Sequence, residues 1–234
     1  MIITIDGPAG SGKSTCARKL AARLHIPYLD TGAMYRVVTL AALQDEADMS
    51  DEAALTRVAA TADFELDCGP THVRVTLRGQ DVSEQIRSMY VNDHTRFVAG
   101  SPGVRHILVD KQREIGKRLG SMVTEGRDQG TAAFPDADFK FFLVADIEKR
   151  AERRLHELMA DGEEVAIDDV KRNMLERDRT DSQRKTAPLI KPHSAVEIDT
   201  SHLSITQVIE RMLDTLRAAG IDVDEERVGV ASNE

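Results

Sequence analysis

The stretch Gly7-Pro-Ala-Gly-Ser-Gly12-Lys13-Ser14 fits G-x-x-x-x-G-K-[ST] in full, and few patterns of this length restrict a fold so tightly. It follows an apolar run, Ile2 to Ile5, and leads directly into a segment of helical period, Lys13 to His25. Strand, glycine turn and helix in that order gather backbone N–H groups around an anion, with the positive end of the helix beneath it. Gly7, Pro8, Ala9, Gly10, Ser11, Gly12, Lys13, Ser14 and Thr15 are therefore the expected cradle for a nucleoside triphosphate. Lys13 adds a point charge at the γ-phosphate, and the Ser14 hydroxyl is the expected protein ligand of Mg²⁺.

The rest of the chain repeats the same alternation of short apolar runs and helical segments, which predicts an α/β fold: a central parallel five-stranded sheet flanked by helices. The expected strands are Ile2 to Ile5, Ile26 to Leu29, Met122 to Thr124, Phe139 to Val144 and Ala195 to Ile198. Helices are expected over about Lys13 to His25, Met34 to Leu43, Val104 to Leu119, Ile147 to Met159, Asp168 to Arg184 and Ile205 to Ala218. In the last, Ile205, Val208, Ile209, Met212 and Leu216 form one stripe, and Ser204 with Gln207 suits a capping box. Between Asp63 and Arg87 the period changes to two, in Phe64 to Cys68 and Val73 to Leu77 around Gly69-Pro70. That pattern predicts an antiparallel β insertion with flanking helices.

Composition narrows the partners. The 31 Lys and Arg against 40 Asp and Glu leave a net charge of −9, which argues against nucleic-acid binding, since a phosphate backbone is held by a cationic surplus. No apolar run approaches a membrane span and no leader pattern is visible, so a cytoplasmic protein is expected. Cys16 and Cys68 lack metal-ligand spacing and are expected as reduced thiols. One domain is expected over residues 1–220, with an insert at about 60–100; residues 221–234 read as an acidic polar tail dispensable for chemistry.

The loop alone fixes a donor and leaves the reaction open, because GTPases, ATPases, kinases and sensors share it. Arginines supply further information. Arg150, Arg153 and Arg154 sit at i, i+3 and i+4 and are expected to share one helix face; taken alone, ion pairs to Glu148, Glu152 and Glu157 explain them better. Arg177, Asp181 and Arg184 line up along the next helix, a carboxylate between two guanidinium groups.

Read together, Ile3-Thr-Ile-Asp-Gly-Pro8, Leu29-Asp-Thr-Gly-Ala-Met-Tyr-Arg36, Gly79-Gln-Asp-Val-Ser83, Gly126-Arg-Asp-Gln-Gly-Thr131 before Phe134-Pro-Asp-Ala137, and Arg177-Asp-Arg-Thr-Asp181 before Ala187-Pro-Leu189 resemble the bacterial cytidylate kinases, from about Ile2 to Ala218. The resemblance implies a P-loop nucleoside monophosphate kinase that takes ATP as donor, with Mg²⁺, and CMP or dCMP as acceptor, with an acceptor-side insert at about 60–100 and a lid at about 147–185. A monomer is expected, since nothing in the sequence requires more. The resemblance further implies that Thr31, Tyr35 and Arg36 form the acceptor loop, with Arg36 at the CMP phosphate. Arg105, Arg127 and Asp128 would contact base and phosphate, and Arg177, Asp181 and Arg184 the ribose and phosphates. Lys13, Arg127 and Arg184 would be catalytic, with Arg150, Arg153 and Arg154 as lid arginines at the donor. Two positions depart from the family. A serine that touches cytosine aligns with Arg96, unless a shift of one residue brings Thr95 there, and Gln129 replaces a more usual Ile or Met, read as a packing change.

A phosphate monoester has its second pKa near 6, so CMP needs no general base at neutral pH. An alcohol kinase of the shikimate kinase sort is the alternative enzyme and would need Asp30 as base. A P-loop nucleotide-sensing module is the alternative from another class, with the arginines docking a protein.

Overall fold

The computed structural model describes residues 1–160 and 162–223. The expected tail therefore lies almost wholly outside the described residues.

Strand β1 (Ile2–Asp6) runs into the glycine loop and helix α1 (Lys13–Leu24); β2 (Tyr28–Asp30) and α2 (Thr31–Gln44) follow. The insert comprises α3 (Glu52–Thr61), β3 (Phe64–Cys68), β4 (Val73–Leu77), β5 (Gln80–Asp81), a 3₁₀ turn at Gln85–Arg87 and α4 (Met89–Gly100). Helix α5 (Pro102–Leu119) returns the chain to β6 (Met122–Gly126), a π-helical turn at Gln129–Ala133 and β7 (Phe139–Val144). Helices α6 (Ile147–Ala160) and α7 (Ile167–Gln183), strand β8 (Val196–Asp199) and α8 (Ile205–Ala218) complete it.

The main sheet has the order β2-β6-β1-β7-β8 and is parallel throughout. Chain order reverses at β1, and open α/β sheets bind ligands beyond the carboxyl ends of the strands at such a switch point. Register brings the relevant residues level there: Ile5 pairs with Glu125, Asp6 with Gly126, and Asp30 with Glu125. The two sheet faces are covered by separate apolar clusters. Ile3, Ile5, Val123 and Phe141 pack with α1 and α8, while Met122 faces α2, α3, α5 and the insert. Alternate residues of a strand point to opposite faces, so Met122 and Val123 part company.

Several boundaries differ from the sequence reading. Strand β2 begins at Tyr28 because the Ile26 N–H is taken by Ala21 O at the end of α1 (3.1 Å) and Pro27 has no N–H to give. Helix α2 begins at Thr31, since Asp30 caps it by accepting the Ala33 N–H. The insert holds a third, two-residue strand, β5, too short to show a period. Helix α8 agrees closely: Val208, Ile209, Met212, Leu213 and Leu216 are buried, and both bonds of the Ser204–Gln207 capping box are present at 3.2 and 2.8 Å. Cys16 and Cys68 are free thiols, pushed up to about 11 by burial. Among the described residues no helix is long and apolar enough to cross a membrane.

Candidate functional site

The glycine loop turns where a side chain could not follow. A Cβ on Gly7 would lie 2.1 Å from Leu143 O, and one on Gly10, whose φ is +71°, would lie 2.7 Å from Met174 Cε. The loop is stiffened from within by Ser11 Oγ and Lys13 Nζ, which donate to Pro8 O at 3.0 and 2.7 Å. The Thr200 hydroxyl donates to Ser11 O at 3.1 Å, tying the loop to the segment after β8.

Ser14 leads to a residue the sequence reading missed. Its hydroxyl donates to Glu125 Oε1 at 2.8 Å, and the Tyr28 hydroxyl approaches the same oxygen at 3.4 Å. Glu125 is buried at the carboxyl end of β6. The available signal was a carboxylate closing an apolar strand just before Gly126-Arg127, but only the sheet register brings it to Ser14. A hydroxyl and a carboxylate are hard oxygen donors of the kind Mg²⁺ takes alongside phosphate and water. Among the described residues no group of three or more His, Cys, Asp or Glu side chains could hold a metal without such help.

On the other side of the loop lie the expected acceptor residues. Asp30 Oδ1 accepts the Ala33 N–H (2.9 Å), while Oδ2 accepts from Arg36 (3.0 Å) and from Arg87 (3.2 Å). The Asp30 carboxylate is thus occupied by three protein donors, and the alcohol-kinase alternative would need one of them to give way to a substrate hydroxyl. Arg87, also missed, reaches Asp30 from the 3₁₀ turn within the insert. Thr31 is buried with its hydroxyl on Glu125 O (2.6 Å). Arg105 and Asp128 form a buried ion pair, and the Arg105 guanidinium lies 5.6 Å over the Tyr35 ring. Asp128 therefore holds Arg105, whereas Arg127 is held by Asp181 at 2.8 Å.

Asp181 lies between Arg127 and Arg184, the latter at 3.5 Å. Burial opposes its charge, but the two guanidinium groups outweigh it and hold its carboxyl below the usual range. Spacing alone set Asp181 between Arg177 and Arg184; its ion pairs are to Arg184 and to Arg127, just after β6, while Arg177 acts on it through its charge. Arg177 keeps exposed surface, and it is pushed down to about 10 by lost solvation and then by Arg127. Arg36 Nε, Arg105 Nε and Arg184 Nε and Nη2 are buried without a hydrogen-bond partner among the described residues. Unmet guanidinium donors in a crowded cationic site call for an anion or a polar ring.

Helix α6 corrects a second expectation. Its three arginines diverge, because long side chains on neighbouring stems follow separate partners. Arg150 is buried against the glycine loop, donating to Ala9 O (3.1 Å) and Asp178 (2.6 Å). Arg153 turns to Thr200, and Arg154 pairs with Glu157 (2.9 Å). Gln129 is more than a packing change: it accepts from Thr124 (3.0 Å) and donates to Gln112 (3.1 Å) in the buried interior. Thr95 faces Thr39 of α2 at 3.4 Å, while Arg96 is exposed and stacks on Phe97.

Residues 3–218 match the cytidylate kinase family. The chain is 46% identical over 215 residues to the cytidylate kinase of Caldanaerobacter subterraneus subsp. tengcongensis, covering 92% of this chain and 94% of that protein. It is 42% identical over 212 residues to the cytidylate kinase of Bacillus velezensis, covering 91% and 94%. Among solved structures, an uncharacterized protein from Eubacterium ventriosum shares the fold alone, with a TM-score of 0.53 and 14% identity over 93% of this chain and 99% of that one. With the glycine loop, the arginine site and a match of this length in agreement, the chain belongs to the cytidylate kinase family.

Proposed function

We propose that this chain transfers the γ-phosphoryl group of ATP to CMP and dCMP, giving ADP with CDP or dCDP. A phosphate oxygen of the acceptor forms the new bond to the γ-phosphorus as the bond to the β,γ-bridging oxygen breaks, and the bridging oxygen leaves on ADP. The acceptor is already a dianion, so the protein's task is placement and charge neutralisation. Lys13 and Arg127 face the transferring group, with Arg184 beside them. Arg36 holds the acceptor phosphate, helped by Arg177, and Asp181 with Thr31 orients the sugar and its surroundings. Helices α6 and α7 act as the lid, bringing Arg150 and Arg154 to the donor. Arg153, tied to Thr200, steadies the lid's base. Ser14 and Glu125 would hold Mg²⁺, which when bound neutralises phosphate charge.

The observation that carries the reading is the buried Arg105–Asp128 pair, flanked by unmet N–H groups of Arg105 and Arg184. It sets a pure acceptor beside pure donors. Cytosine shows an amino donor at N4 beside acceptors at N3 and O2, so the pair matches it; uracil reverses the polarity at N3 and the 4-position. Initial rates with ATP and each of CMP, dCMP, UMP, AMP and GMP test the proposal. CMP and dCMP should exceed the others by about a hundredfold in kcat/KM, the scale of polar mismatching at a buried site. Similar rates for CMP and UMP would refute the assignment of the base site, and Lys13→Ala with undiminished kcat would refute the donor site.

A further inference from the structure

Asp178, met above only as a partner of Arg150, stands inside the Arg177–Asp181 motif and has no assigned role. Its carboxylate reaches from α7 to the glycine loop: Oδ1 accepts the Ala9 N–H at 3.3 Å and Oδ2 accepts from Arg150 Nη1 at 2.6 Å. Arg150 Nη1 also donates to Ala9 O at 3.1 Å, and its Nε donates to Ala145 O at 3.0 Å. The result is a closed ring of hydrogen bonds through Ala9, Arg150 and Asp178. Apolar contact backs the ring, since the loop's Gly10 has room for no side chain between Met174 Cε and Arg150 Cβ.

A negative group against a phosphate-binding loop needs a reason, because by itself it repels the ligand. Here the charge is cancelled by Arg150, which is almost buried, and the pair spans both helices α6 and α7. The next residues along α7 carry the acceptor side: Arg177 adjoins Asp178, and Asp181 holds Arg127 and Arg184 one turn on. Any shift of Asp178 relative to Ala9 is thus transmitted along one rigid helix to the acceptor arginines.

We propose that Asp178 is a positioning residue that locks Arg150 and the α7 arginines in register with the glycine loop, so that donor and acceptor are aligned by one connection. The proposal rests on the kinase reading for its consequence and on the ring for its cause. Asp178→Asn keeps an acceptor for the Ala9 N–H but loses the charge facing Arg150; Asp178→Ala loses both.

The test compares steady-state kinetics, melting temperature, and binding of a fluorescent ATP analogue and of CMP, each alone and together. We expect Asp178→Ala to lower kcat/KM for ATP by roughly a hundredfold, the cost of a small misplacement of reacting groups, with Asp178→Asn between it and wild type. CMP binding alone should change by less than about threefold, because Asp178 touches no acceptor group, while any mutual strengthening of CMP and ATP binding should fall toward none. Donor kinetics within about twofold of wild type in both variants, on the scale of a lost surface contact, would overturn the proposal. So would a loss of donor binding, acceptor binding and melting temperature in equal proportion, which marks a general structural role. If Asp178→Ala fails to fold, Asp178→Asn is judged by the same criteria. ATP-analogue binding needs no acceptor, so its result stands apart from whether CMP is the substrate.

Discussion

At Lys13 two effects pull the same way: burial strips solvent from the ammonium, and the Arg127 guanidinium opposes another positive charge, pushing the lysine down to about 7. An incoming triphosphate supplies the missing negative charge and raises that pKa again. Binding is then coupled to proton uptake wherever the free lysine is deprotonated and the bound one is not. Donor affinity should therefore be full below about pH 7 and fall as pH rises above it, by up to about tenfold per unit. Calorimetry at about pH 8, where the terminal phosphate of ATP is already ionised, in two buffers of different protonation enthalpy, should show uptake for wild type and none for Lys13→Arg. Equal uptake in both would place the linked proton elsewhere. Asp128 carries a different prediction. Replacing it with Asn turns part of an acceptor into a donor and removes the charge that holds Arg105. The loss in kcat/KM should be roughly a hundredfold for CMP and smaller for UMP, since UMP never had that bond to lose. Equal proportional losses would reduce Asp128 to a support for Arg105.

Among the elements, α6 and α7 share a small apolar cluster of their own, separate from the two that cover the main sheet. Their shared cluster holds Ala151, Val170 and Met174, whereas α8 alone buries Val208, Ile209, Met212, Leu213 and Leu216 against the sheet. Met159, Ile167 and Leu175 remain exposed on the pair. A unit with so small a core opens more readily than the whole molecule. Backbone amides of α6 and α7 should therefore exchange with solvent deuterium at least about a hundredfold faster than those of β1, and slow when ATP and CMP are added together. Protection equal to that of β1 before any ligand is added would contradict a moving lid. The same contrast explains which elements were legible. Helix α8 has a single stripe and a capping box, both local signals that survive tertiary packing. Strands β2 and β5 have no such signature: β2 is delayed by hydrogen bonding at Ile26 and by Pro27, and β5 exists only because β4 offers it an edge.

Across the whole molecule the division follows sequence distance. The glycine loop is contiguous, so its residue types, its strand and its helix can be read together from the chain alone. The motifs also nominated Arg36, Arg105, Arg127, Asp128, Arg177, Asp181 and Arg184 as candidates, of which the structure joins Arg105 to Asp128, and Arg127 and Arg184 to Asp181. What they left undetermined is who holds whom. Ser14 meets Glu125 across 111 residues, Arg127 meets Asp181 across 54, and Ala9 meets Asp178 across 169. Each of these contacts depends on the parallel register of β1 and β6 or on how α6 and α7 lie over the loop. Spacing along a helix placed Asp181 between Arg177 and Arg184, yet Arg127, just after β6, forms the closer ion pair. By itself, then, the sequence determined the sheet-and-helix plan, the glycine loop and most of the candidate residues, because those are written in local pattern. Only the tertiary structure decided the pairings, because a charged side chain settles on whichever partner the packed backbone brings within hydrogen-bond reach.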